Sequence, residues 1–283
     1  MKLKSAFSAC LFFLIVLALF SCKNDQEESF GKFQLKFAHK VNGNELKCDT
    51  LVYTNAAGNQ YMVNDIQYFI SDIDLINNEG QAYRLKADGF AHYADTDIPS
   101  TLIWNVKDQI PSDNYKAIRF VFGFTPEHNI SNQYPNQPES DMFWPESLGG
   151  GYHYMKLNGK WLKPGETIPT PFNFHLGIGQ VYSGTKEAEI AKSSKWPCGS
   201  IITKSKNDVL GFVHNQFTVN LPVSFLITKD NTTSLELVMN VESWFETPNI
   251  WNHNTIGSSI MQNQQAQIWA KENGQDVFSI SAK

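Results

Sequence analysis

The sequence predicts an all-β protein, an antiparallel β-sandwich with long irregular loops and one or two short helices. Three observations carry this prediction. Apolar and polar residues alternate along several short runs, the period of a strand with one buried face. Turn-forming residues separate those runs at hairpin distances. The chain is 42% hydrophobic and 13% aromatic, too apolar for disorder and sufficient for a core without a disulfide scaffold.

The first element is a leader. Met1 to Lys4 is basic and Phe7 to Phe20 is an apolar run containing Cys10, shorter than the ~20 residues a membrane helix needs. It ends in Leu19-Phe20-Ser21-Cys22, which resembles a bacterial lipobox, so residues 1–21 read as a lipoprotein signal peptide and Cys22 as the lipidated first residue. The bland alternative is an ordinary secretory signal. Cleavage removes Lys2 and Lys4 and no acid, which takes the formal charge from −5 to −7. Residues 22–30, with Lys23-Asn24-Asp25-Gln26-Glu27-Glu28, read as a polar tether, and residues 31–283 as a single domain. The acidic tether resembles the surface-export signal of Bacteroidetes lipoproteins. The expected location is therefore the cell envelope, lipid-anchored at the outer membrane and facing either the periplasm or the outside. With acids in excess and bases scattered, a general nucleic-acid binder is excluded.

Strands follow in order. Phe33 to His39 alternates; Tyr68 to Ile76 and Ala117 to Phe124 are β-rich; then come Phe217 to Leu221, Ser224 to Ile227, Ser234 to Val241 and Asp276 to Ile280. Asn42-Gly43, Asn78-Glu79-Gly80 and Asn158-Gly159 read as turns. Short helices are expected at 97–105 and 255–270. Residues 126–151, with Met142-Phe143-Trp144, and 183–208, with Trp196-Pro197-Cys198-Gly199, break the strand rhythm and read as long loops.

Chemistry is sparse. The sequence holds no phosphate-binding Gly loop, nucleophile elbow, H-E-x-x-H or C-x-x-C, and the expectation is a protein without catalysis of its own. Asp72 and Asp74 share a strand face and read as solvated surface carboxylates. Cys48 and Cys198 are either one disulfide, two buried thiols or soft-metal ligands. Imidazole supported by thioether or thiolate is a copper ligand set. Candidate ligands are His175, closing the aromatic run Phe172-Asn173-Phe174; His153, two residues before Met155 on one strand face; and His253, two residues after Trp251. For each alone, a hydrogen-bonded structural histidine is the commoner reading. A second function class is a surface module that holds a glycan or protein on Trp144, Trp161, Trp196 and Trp251.

Ordered motifs add a resemblance. Phe33-x-Leu35-x-Phe37-x-His39-x-Val41-Asn42-Gly43, Leu51 to Gly58 and Val63-Asn64-Asp65-Ile66-Gln67-Tyr68 open the series. Met142-Phe143-Trp144, Gly151-Tyr152-x-Tyr154-Met155-Lys156-Leu157-Asn158-Gly159 and Phe174-His175-Leu176-Gly177 continue it, and Trp244 to Asn249, Ile260-Met261 and Asn273 to Phe278 complete it. The series resembles the MbnP-like family of copper-binding envelope proteins across residues 31–281. The resemblance implies a β-sandwich and copper, as Cu(I), held by histidines together with a tryptophan oxidised to kynurenine. Carried onto this chain, it points first to His175, then to His39 in the opening strand, and to His253 beside Trp251, whose tryptophan-x-histidine arrangement would put a modified Trp and an imidazole on one metal; His153 stays a candidate on its spacing to Met155 alone. A di-haem cytochrome c peroxidase-like enzyme is the partner it implies, and a TonB-dependent receptor is the other expected one.

Overall fold

The computed structural model describes residues 28–183 and 208–283. The signal peptide, Cys22 and most of the tether, with Trp196 and Cys198, lie outside the described residues. Among those described, no helix is long and apolar enough to cross a membrane.

Two sheets face each other. The first joins β1 (Phe30–Val41), β2 (Asn44–Glu45), β7 (Ile103–Pro111), β14 (Thr232–Asn240) and β15 (Phe278–Ala282). The second joins β3 (Tyr53–Thr54), β4 (Gln60–Asn77), β5 (Ala82–Arg84), β6 (Ala91–Asp95), β8 (Asp113–Phe122), β9 (Met155–Trp161), β10 (Thr170–Leu176) and β13 (Phe217–Ile227). A small ribbon pairs β11 (Ile178–Tyr182) with β12 (Val209–His214). Strand pairs are antiparallel except β1 with β14, which run parallel from Lys32↔Thr232 to Lys40↔Asn240. The predicted β-sandwich is thus the fold.

Alternation explains the core. Phe33, Leu35, Phe37, His39 and Val41 of β1 all turn inward, as the two-residue period requires. Phe33 meets Phe225 of β13 at 5.9 Å between ring centroids, Phe37 meets Tyr68 of β4 at 6.4 Å, and Phe122 of β8 meets Phe278 of β15 at 5.4 Å. These rings tie one sheet to the other, and aromatic pairs in such offset or edge-on contact add stability beyond their buried area.

Local expectations fare unevenly. The helix expected at 97–105 is a single 3-10 turn at Pro99–Leu102, and Ile103 already opens β7. Trp104, Val106 and Ile110 are buried at alternate positions there, so packing on the core outcompetes helix formation. The helix expected at 255–270 is two, α1 (His253–Ile256) and α2 (Gln264–Asn273), capped by the side chains of Asn252 and Asn263. Asn158-Gly159 is not a turn but the middle of β9. A Cβ on Gly159 would lie 2.3 Å from the Met62 carbonyl oxygen and 2.5 Å from the Phe172 ring, so the glycine serves close strand packing rather than reversal.

Candidate metal centre

His175 sits on β10, whose Phe172, Phe174 and Leu176 face the core while His175 turns to the opposite side of the sheet. Beside it on β9, Lys156 and Asn158 point the same way, and the segment before β9 lies against this face, with Lys156 Nζ donating to the Asp141 carbonyl and His153 meeting His175. His153 closes that segment just before β9, so it is not the strand neighbour of Met155 that the spacing suggests. Its ring stands edge-on to that of His175, with centroids 5.1 Å apart, and edge-on to the indole of Trp144 at 4.6 Å.

Trp144 is fully buried and its indole N–H donates to the Leu148 carbonyl at 3.0 Å. It lies flat on the chain after His175: a Cβ on Gly177 would come within 2.6 Å of the indole. Gly177 is therefore the residue that lets the tryptophan pack against this stretch while it meets His153. Buried amides fix the same stretch, with Gln267 Nε2 donating to the His175 carbonyl at 2.7 Å and Asn215 Nδ2 to the Gly177 carbonyl at 2.9 Å.

Both imidazoles are held neutral. Burial, with His175 and Lys156 nearby, lowers the His153 pKa to about 3 against the opposing pull of the Met142 carbonyl. Burial and Lys156 lower that of His175 to about 4. The neutral ring is the metal-binding form. His153 Nδ1 is 3.0 Å from the Met142 carbonyl oxygen, and His175 Nε2 is 2.8 Å from Asn158 Oδ1. His175 Nδ1 is buried with no hydrogen-bond partner. An unpaired, buried, basic nitrogen is costly unless something binds it, and two neutral imidazoles side by side fit a borderline-soft cation such as copper.

The other expected ligands do not join this pair. His39 points into the core between the sheets, edge-on to Tyr68 at 5.7 Å, with Nε2 unpartnered and its pKa lowered by burial to about 4. His253 begins α1, in a nest of Phe172 at 4.4 Å, Phe245 at 5.3 Å and Trp161 at 5.6 Å, both ring nitrogens unpartnered. Burial lowers its pKa to about 3. Trp251 and His253 do not sit on one strand face, because Asn252 caps a helix that starts at His253. The Trp251 indole packs instead on Phe174 at 4.7 Å and Phe245 at 6.4 Å. Among the described residues no three His, Cys, Asp or Glu side chains gather as a metal-binding group. Cys48 is a partly exposed thiol, raised in pKa by burial and by Asp49, Asp97 and Asp65.

Two further expectations are corrected. Trp144, Trp161 and Trp251 are 0%, 2% and 2% exposed, so they are core residues and offer no surface for stacking a glycan. Asp72 and Asp74 are buried rather than solvated, and a bulge at Asp72, with φ of 51°, puts them into one ion cluster. Arg84 Nη1 reaches Asp72 at 2.7 Å, Arg119 Nη2 reaches Asp74 at 2.8 Å, and His128 Nδ1 lies 3.0 Å from Asp72. Burial alone would raise the Asp74 carboxyl, but its two arginines outweigh it and hold it low. This cluster lines a cleft of about 560 Å³ on the second sheet. Arg84 and Arg119 stand opposite Asp74 in its two strand pairings, a register that the sequence alone does not show.

Comparison with known proteins agrees with this architecture. The MbnP family profile matches residues 30–262. No curated protein sequence matches. Among solved structures, MbnP from Methylosinus trichosporium is similar with a TM-score of 0.51 at 14% identity, covering 89% of this chain and 98% of that one. At that identity the likeness speaks for the fold, while the profile spans most of the chain, including the aromatic strand, the histidine pair and the tryptophan against it. On that match the chain belongs to the MbnP family, a family associated with copper.

Proposed function

We propose that this protein is a copper-binding lipoprotein of the cell envelope that acquires, delivers or stores copper without catalysis of its own. His175 and His153 supply the imidazole donors. The observation that carries this reading is the buried, unpartnered Nδ1 of His175 beside a second neutral imidazole. Copper, when bound, supplies a Lewis-acidic and redox-active centre. The chain holds two rings neutral and fixed for it, with Trp144 packed against His153.

The lipid on Cys22 places the protein on a bilayer, Cu(I) is the favoured state for two neutral imidazole donors, and Trp144, edge-on to His153, is the candidate should kynurenine be a ligand. A di-haem peroxidase-like enzyme or a TonB-dependent receptor is the corresponding partner.

The test is metal content. Mature protein loaded with Cu(I) and freed of excess should retain near-stoichiometric copper, and His175→Ala should retain only background with an unchanged circular dichroism spectrum. Background copper in the wild type would overturn the function, and full copper in His175→Ala would overturn the ligand assignment. Intact mass read alongside reports lipidation and any conversion of tryptophan to kynurenine.

A further inference from the structure

We infer that Asp65 and Asn158 form a positioning relay that locks the His175 imidazole with its hydrogen on Nε2 and presents the bare Nδ1 to the metal. The inference rests on the copper reading above and adds the residues that orient its first ligand.

Asp65 Oδ1 lies 2.8 Å from Asn158 Nδ2, and a carboxylate only accepts. The Asn158 amino group is thereby committed to Asp65, and the amide cannot rotate without setting its oxygen against a carboxylate. Asn158 Oδ1 must then face the other way, where it lies 2.8 Å from His175 Nε2. An amide oxygen also only accepts, so the ring hydrogen resides on Nε2 and the lone pair on Nδ1. Nδ1 is the very nitrogen that is buried with no partner. Metal-binding histidines commonly donate their second ring N–H in this manner, which fixes both tautomer and ring angle.

Strand register delivers the relay. β4 and β9 pair Val63 with Gly159 and then Asp65 with Asn158, so Asn64 is an extra residue on β4. Without that bulge Asn64 would stand opposite Asn158, and its amide, able to present either end, would enforce no direction. Asn64 instead donates to Asp49 at 2.5 Å. On the far side, β9 and β10 pair Asn158 with Asn173, two residues from His175 on the same face.

Two readouts on one set of variants test this. The first is the tautomer of His175 in metal-free, histidine-15N-labelled protein, read from long-range proton–nitrogen correlations. The second is Cu(I) affinity, measured by competition with a chromophoric chelator. Wild type should show hydrogen on Nε2 alone. Asn158→Leu and Asp65→Leu should show mixed tautomers and about 10-fold weaker Cu(I) binding. The exchange Asp65→Asn with Asn158→Asp keeps an acceptor-only group on Nε2 and should restore both the single tautomer and the affinity. Hydrogen on Nδ1 or an even mixture in wild type would overturn the relay, as would a tautomer and affinity unchanged in both leucine variants. Copper retained by His175→Ala, with the tautomer locked in wild type and unlocked in the leucine variants, would sink the copper assignment and leave the lock standing. Copper lost in His175→Ala with mixed tautomers in wild type would sink the lock alone.

Discussion

His39 shows how far burial governs a single side chain in this protein. As the fourth inward residue of β1 it is 6% exposed, and burial holds its pKa at about 4 against 6.5 in an open chain. As pH falls below 6.5 the unfolded chain takes up a proton that the folded one refuses, so stability declines with acidification and levels off below about 4. The full difference is about 3 kcal/mol and the share lost by pH 5 about 2 kcal/mol. Urea unfolding of His39→Leu should show that much less loss between pH 7 and 5 than wild type; an identical loss would mean that His39 is protonated in the folded state. The sequence showed His39 in an alternating strand, and alternation alone puts it in the core. What it could not show is which histidines meet each other. His153 and His175 are joined by a segment whose path follows from tertiary packing. The Trp251-x-His253 spacing misled because an asparagine between them starts a helix.

Elements explain why the site is rigid. β9 and β10 present Lys156, Asn158 and His175 on one face, and the residues before β9 lie across it with Trp144 pressed on Gly177. His-Leu-Gly was visible in the sequence as a motif, but its reason, a glycine under an indole, needs the fold. Gly177→Ala should therefore overpack the contact, costing about 1–3 kcal/mol, and displace the indole. Chemical denaturation checks the first effect. Near-ultraviolet dichroism, together with a loss of Cu(I) affinity, checks the second. Unchanged values on both counts would show that the Trp144 indole does not press on Gly177. The ion cluster of Asp72, Asp74, Arg84 and Arg119 was legible only in part, since the acids were seen while the arginines that bury them lie on other strands.

At the scale of the whole molecule, chain order matters most. β1, near the start, runs parallel to β14, near the end, and β7 flanks it on the other side. Both sheets thus combine early and late segments, and no cut along the sequence separates a self-contained half. Alternation predicted the sandwich, because burying one face of each strand is a local requirement. The parallel closure was not predictable, because each strand reads the same in either direction. Cross-sheet rings such as Phe33 on Phe225 and Phe122 on Phe278 couple the two layers, so unfolding one sheet exposes the aromatic face of the other. Leu35, fully buried on β1 two residues from Phe33, should on replacement by alanine cost about 2–5 kcal/mol. In wild type and in Leu35→Ala alike, backbone dichroism and tryptophan fluorescence should then report one shared denaturation midpoint, lower in the variant. Midpoints that separate between the two probes would show that the sheets unfold independently, and that the parallel pairing does not couple the ends of the chain.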